Sequence, residues 1–171
     1  MQVVEGVFYR GIQPKYAHDP CSGEGAKKNG GRFNPKGVAA LYLSENPHTV
    51  ALELTHGFSN LFQPTMVISY RISIDCIYDL TNDETLKSLN VSRRSLASPW
   101  LDLWTKGLEP PQWSLARRLI AAGCKGIYVQ SFAPQATATD RNLVLWKYND
   151  GPEANVCPVD DEGRLTVTSS D

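Results

Sequence analysis

The sequence predicts a single α+β domain whose strands and helices do not strictly alternate. Three observations predict it. The 171 residues, 42% of them hydrophobic, are enough to bury one core and few enough to form one domain. Strand-like segments stand at the start, in the middle and toward the end of the chain. The helical patterns between them are too irregularly spaced for a doubly wound sheet.

In order, Val3 to Arg10 reads as a short strand, and Gln13 to Gly37, rich in Gly, Pro and charge, shows neither period and is expected to be a long ordered loop. Val38 to Ser44 reads as a strand. Asn46 and Pro47 supply an N-cap and a proline at the first helical position, which predicts a helix from Pro47 to about His56 that ends at Gly57. Thr65 to Ile74 alternates as a strand, and Cys76 to Leu80 is expected to be another, before a polar turn at Thr81 to Asp83. A short helix is expected from Glu84. Arg93 to Pro111, which carries Trp100 and Trp104, has no assignable pattern. From Gln112, residues Leu115, Ala116, Leu119 and Ile120 share one helix face with Arg117 and Arg118 opposite, and Gly123 is the stop. Gly126 to Ser131 and Asn142 to Tyr148 read as strands around the loop Phe132 to Arg141. After Gly151 the apolar pattern fades, so 151–171 is expected to be an acidic peripheral tail.

With 17 basic and 18 acidic residues the net charge is −1, which calls for neither nucleic acid nor an anionic membrane as partner. The four cysteines, Cys21, Cys76, Cys124 and Cys157, stand singly, as suits a reducing cytosol. No apolar stretch approaches spanning length, and the start MQVVEGVFYRG lacks the layout of an export signal, so a soluble cytoplasmic protein is expected. Gly25 to Arg32 (GAKKNGGR) falls short of a phosphate-binding P-loop, having Gly31 and Arg32 where Lys and Ser or Thr would stand. No dinucleotide fingerprint follows a strand. His18, His48 and His56 show no metal-ligand spacing, and no metal site is expected. Nor is there a G-x-S-x-G nucleophile elbow.

Four islands remain: Tyr9-Arg10, Gly30 to Gly37 (GGRFNPKG), Leu41 to Ser44 through Ala51 to Glu53, and Val129 to Ser131 followed by Asn142 to Trp146. In this order they resemble the RES domain, a family named for its Arg, Glu and Ser, here Arg32, Glu53 and Ser131. The resemblance spans Phe8 to about Tyr148, and it implies a catalytic domain over 1–150. It also implies a core similar to ADP-ribosyltransferases, with a split mixed or antiparallel sheet flanked by short helices. Members are toxins of bacterial toxin–antitoxin systems that deplete NAD+, so NAD+ is implied as substrate and no cofactor besides. The implied partner is a cognate antitoxin with an Xre-like DNA-binding region, and a homodimer is left open. One departure is Ala138 to Arg141 (ATDR), where a glycine-containing turn is expected.

The same residues can be read for chemistry. Glu53 sits in VALEL (Val50 to Leu54), a lone carboxylate among apolar neighbours, and a desolvated carboxylate needs a partner. Nicotinamide leaves NAD+ as a neutral group and needs no acid or metal, and a carboxylate beside the ribose stabilises the oxocarbenium ion that develops, which suits Glu53. Arg32, and after it Arg10, would hold the diphosphate. Tyr42 would stack on nicotinamide, while Ser131 and Asn142 would hydrogen-bond the ribose or a turn. Gly31 is expected at the substrate, and the alternative is that Gly30 and Gly31 only supply positive φ angles. Asn34, Trp113 and Trp146 read as structural. The acceptor, whether water, phosphate or a macromolecule, stays open. A module without catalysis, in which Arg32 and Glu53 form a buried ion pair, is the alternative.

Overall fold

The computed structural model describes residues 1–55 and 64–165. Its strands are β1 (Gln2–Ile12), β2 (Leu41–Ser44), β3 (Met66–Asp79), β4 (Gly126–Gln130), β5 (Arg141–Leu145) and β6 (Ala154–Pro158). Its α-helices are α1 (Glu24–Asn29), α2 (Pro47–Thr55), α3 (Asp83–Ser88), α4 (Arg93–Leu96), α5 (Trp100–Thr105) and α6 (Pro111–Ala121). Together they make one mixed α+β domain. No helix among the described residues is long and apolar enough to cross a membrane.

The sheet runs β1-β2-β5-β4-β3-β6, with β1 also paired to β3. It is two antiparallel triplets, β1-β3-β6 and β2-β5-β4, with little joining them. One seam is the short parallel stretch from Ile77↔Gly126 to Asp79↔Tyr128. The other is the single pair Tyr9↔Ser44, beyond which the triplets part. Period-two alternation then divides the core. Leu41, Leu43, Leu143 and Leu145 face β1-β3-β6, while Ile127, Val129 and Val144 face the helices with Leu86, Leu96, Leu115 and Leu119. The β2-β5-β4 triplet is thus the middle layer, and each fully buried leucine in it contributes about 1.5–3 kcal/mol.

Local chemistry sets the element ends. Asn46 Oδ1 accepts the Thr49 amide and caps α2, and Asn82 caps α3 by accepting from the Glu84 and Thr85 amides. Gly123, at φ 82°, closes α6 as the Cys124 amide bonds back to the Leu119 carbonyl. The expected stop of α2 at Gly57, with His56, lies outside the described residues.

Several expectations need correction. The two expected strands between Thr65 and Leu80 are one continuous β3, which crosses a bulge where Cys76 takes φ 56° and the register with β1 shifts. The loop Gln13 to Gly37 contains α1 and a 3₁₀ turn at Pro14–Tyr16. Arg93 to Pro111 holds α4 and α5, of four and six residues, too short to show a period. The segment after Gly151 adds the edge strand β6, with Ala154 and Val156 buried against β3. Only two inward residues, one an alanine, mark it in the sequence.

Candidate functional site

Where the seam at Tyr9↔Ser44 ends, α2 crosses the opening and brings Glu53 toward the ends of β4 and β5. Parity places Tyr42, Asn142, Val144 and Val129 on the helix-facing side of the middle layer. Glu53 Oε1 accepts from Ser131 Oγ and from Asn142 Nδ2, each at 2.6 Å, and neither bond uses Oε2. Asn142 is fixed in turn by Ser44 Oγ, which donates to its Oδ1 at 2.8 Å. Ser131 Oγ accepts the Ala133 amide. Glu53 itself is only partly buried, and the seal of apolar neighbours expected around it is incomplete.

Glu53, Tyr42 and Asn142 stand between two cavities and line both. One, of about 190 Å3, is completed by Gly31, Arg32, Trp100 and Phe132. The other, of about 260 Å3, opens in the gap between the triplets and is lined by Tyr9, Arg10, Ser44 and Leu54. Six of the seven residues selected from the sequence thus lie at or beside Glu53's first cavity, and Arg10 lies in the second.

The loop that carries Arg32 is held by side chains read as structural. Trp113 Nε1 donates to the Gly31 carbonyl and Trp146 Nε1 to the Phe33 carbonyl, both at 2.8 Å. Asn34, fully buried, donates to the Ala26 and Val38 carbonyls and accepts the Tyr42 hydroxyl at 2.6 Å. That hydroxyl also accepts the Phe33 amide, and burial pushes its pKa well above the ordinary tyrosine value. Gly30 has the expected positive φ, at 73°, but Gly31 does not. Gly31 is needed for space: a Cβ there would stand 2.6 Å from both Asn34 Oδ1 and the Tyr42 hydroxyl oxygen.

Arg32 Nη1 donates to the Leu96 and Ser98 carbonyls at 3.3 and 2.9 Å, and the guanidinium lies 4.5 Å over the Phe132 ring. Burial pulls the Arg32 pKa below its usual value, and the negative charge of Glu53 works against that fall. Yet none of the ion pairs among the described residues joins the two. The buried Arg32–Glu53 pair of the alternative reading is therefore overturned. Arg10 Nη1 donates to the Pro20 and Ser22 carbonyls at 3.0 and 3.1 Å.

Sequence reasoning missed Phe132, Trp100 and Asp140. Phe132 follows Ser131 at a strand end, a signal that could have found it. Trp100 sat in the unassigned stretch. Asp140, buried, stands in the ATDR segment where a glycine turn was expected, and its carboxylate closes the turn by accepting from Thr137. No curated protein matches the chain. The model of the RES domain matches residues 7–168, nearly the whole length, and the chain belongs to that family.

Proposed function

We propose that this protein, a member of a toxin-related family, is an NAD+-consuming enzyme that cleaves the bond between nicotinamide and ribose. The observation that carries the reading is the Glu53 carboxylate, gripped through one oxygen by Ser131 and Asn142 between two cavities. The ribose sits at Glu53, whose negative charge stabilises the oxocarbenium ion as the C–N bond breaks. Nicotinamide departs with the bonding electron pair and needs no acid. Arg32, with Nε and Nη2 outside its bonds to the Leu96 and Ser98 carbonyls, faces the diphosphate. Tyr42, with its hydroxyl committed to Asn34, offers its ring as a fixed wall between the cavities. Water as acceptor yields ADP-ribose and a proton, whereas phosphate yields the ribosyl phosphate.

An enzyme that consumed free NAD+ in the cytoplasm would endanger its own cell. The proposal therefore includes the antitoxin partner implied by the resemblance, as a protein that covers the Glu53 cleft. The test is to incubate the purified protein with NAD+ and to follow free nicotinamide, with and without phosphate. Release is expected, and expression in bacteria without the antitoxin should stop growth and lower NAD+. Growth arrest at constant NAD+ would replace this reading with transfer of ADP-ribose to a macromolecule.

A further inference from the structure

Helix α2 buries few of its side chains completely. Of its nine residues only Thr49 and Val50 are buried. A catalytic carboxylate needs a fixed place, because misplacement by about 1 Å can cost on the order of 10²-fold in rate. The structure compensates with a polar tie. Asp140, 4% exposed, forms no ion pair among the described residues. A buried carboxylate without a cation needs neutral donors. Thr49 Oγ1 donates to its Oδ1 at 2.7 Å. The amide and hydroxyl of Thr137 donate to its Oδ2, both at 2.8 Å. The Asp140 carbonyl accepts the Ser131 amide at 2.7 Å.

These bonds close a circuit around Glu53. Thr49 lies one helical turn before Glu53 and on the same face of α2. Ser131 and Asn142, which grip Glu53 Oε1, stand at the two ends of the loop that Asp140 folds. One carboxylate thus ties the helix that carries Glu53 to the loop that holds it. We propose that Asp140 is a positioning residue that sets Glu53 through Thr49 and the 131–141 loop. The catalytic consequence rests on the NAD+ reading, and the geometric one does not.

The test compares Thr49→Val, which keeps shape and loses the hydroxyl, with Thr49→Ser, which keeps the hydroxyl, and with Asp140→Asn. Thr49→Val should lower kcat for nicotinamide release about 10-fold with KM unchanged, and Thr49→Ser should restore it. Combining Thr49→Val with Asp140→Asn should cost no more kcat than the worse single change, because each breaks the same chain from Thr49 through Asp140 to Thr137, the first at Thr49 and the second at Thr137. If Asp140→Asn does not fold, the two Thr49 variants decide alone. Parent kcat in a folded Thr49→Val protein, or losses that multiply in the double variant, would overturn the proposal. A readout without substrate separates it from the NAD+ reading: nitrogen NMR of the Asn142 side-chain amide, one of whose protons is bonded to Glu53. The two proton signals should be well split in the parent and draw together in Thr49→Val. If the parent releases no nicotinamide, the NAD+ reading has failed, and an unchanged splitting would overturn the positioning as well.

Discussion

Arg32 and Arg10 are pinned from behind in the same way and differ in what lies in front. Each gives Nη1 to two backbone carbonyls two residues apart, Leu96 and Ser98 for the first, Pro20 and Ser22 for the second. Behind Arg32, Gln112 Nε2 donates to the same two carbonyls. Behind Arg10, the Tyr70 hydroxyl donates to the Pro20 carbonyl, and burial pushes that hydroxyl up to about 12. In front, Arg32 lies on the Phe132 ring and feels the charge of Glu53. Glu53 lines both cavities, and the Arg32 guanidinium is set in the field of its charge. A guanidinium fixed by carbonyls on one edge keeps the other for an anion, so both cavities can take phosphate. Only the first is expected to act on the bond that breaks.

The largest effect is expected at the wall between them. Glu53→Gln keeps an oxygen to accept from Ser131 and Asn142 but removes the charge, and turnover should fall roughly 10²-fold or more. Since no ion pair ties Glu53 to Arg32, the penalty of about 3–5 kcal/mol for stranding a buried partner should not appear. The melting temperature should hold or rise. Early melting with parent turnover in the folded fraction would make Glu53 a scaffold residue.

Next comes a change aimed at the Arg32 cavity. In Gly31→Ala the added Cβ meets Asn34 Oδ1 and the Tyr42 hydroxyl, so the Asn34–Tyr42 bond must open or the loop must shift. Overpacking of this kind costs about 1–3 kcal/mol, and nicotinamide release should fall about 10-fold with it. Thermal melting and release on the same preparation check this. Parent values in both would mean that the loop can move without cost to the Arg32 cavity.

The sequence showed the elements with strong local signals and lost those whose signals are distributed. Asn46-Pro47 announced α2, and the Leu115, Ala116 and Leu119 face with Gly123 announced α6. The bulge at Cys76 hid the unity of β3, because a non-glycine residue at positive φ leaves no mark in composition. Arg32, Glu53 and Ser131 came from the resemblance, and their spatial grouping was not legible from spacing. Glu53 and Asn142 are 89 positions apart and meet because the Ser44↔Asn142 register brings Asn142 under α2. The hold on Arg32 was invisible for another reason. It consists of backbone carbonyls, which any residue supplies at Leu96 and Ser98.

The last pair of changes separates the two arginines. Lysine in place of either keeps a positive charge and loses the planar fork. At position 32 the lost fork should face the diphosphate, and a hydrogen bond to a charged group is worth about 1.5–3 kcal/mol, so Arg32→Lys should lower kcat/KM about 10-fold or more. Its stability should hold, because Gln112 still satisfies the Leu96 and Ser98 carbonyls. Arg10→Lys should lower kcat/KM only about two- to threefold, since a point charge suffices for an anion that takes no part in the bond that breaks. Tyr70 still bonds the Pro20 carbonyl, but Ser22 loses its contact from Arg10, so the melting temperature should fall slightly more than in Arg32→Lys. Steady-state kinetics and melting of both variants in one buffer make the comparison. If Arg10→Lys proves the more damaging to kcat/KM, the diphosphate lies in the gap between the triplets, and the cavity of Arg32 and Phe132 holds the other end of the substrate.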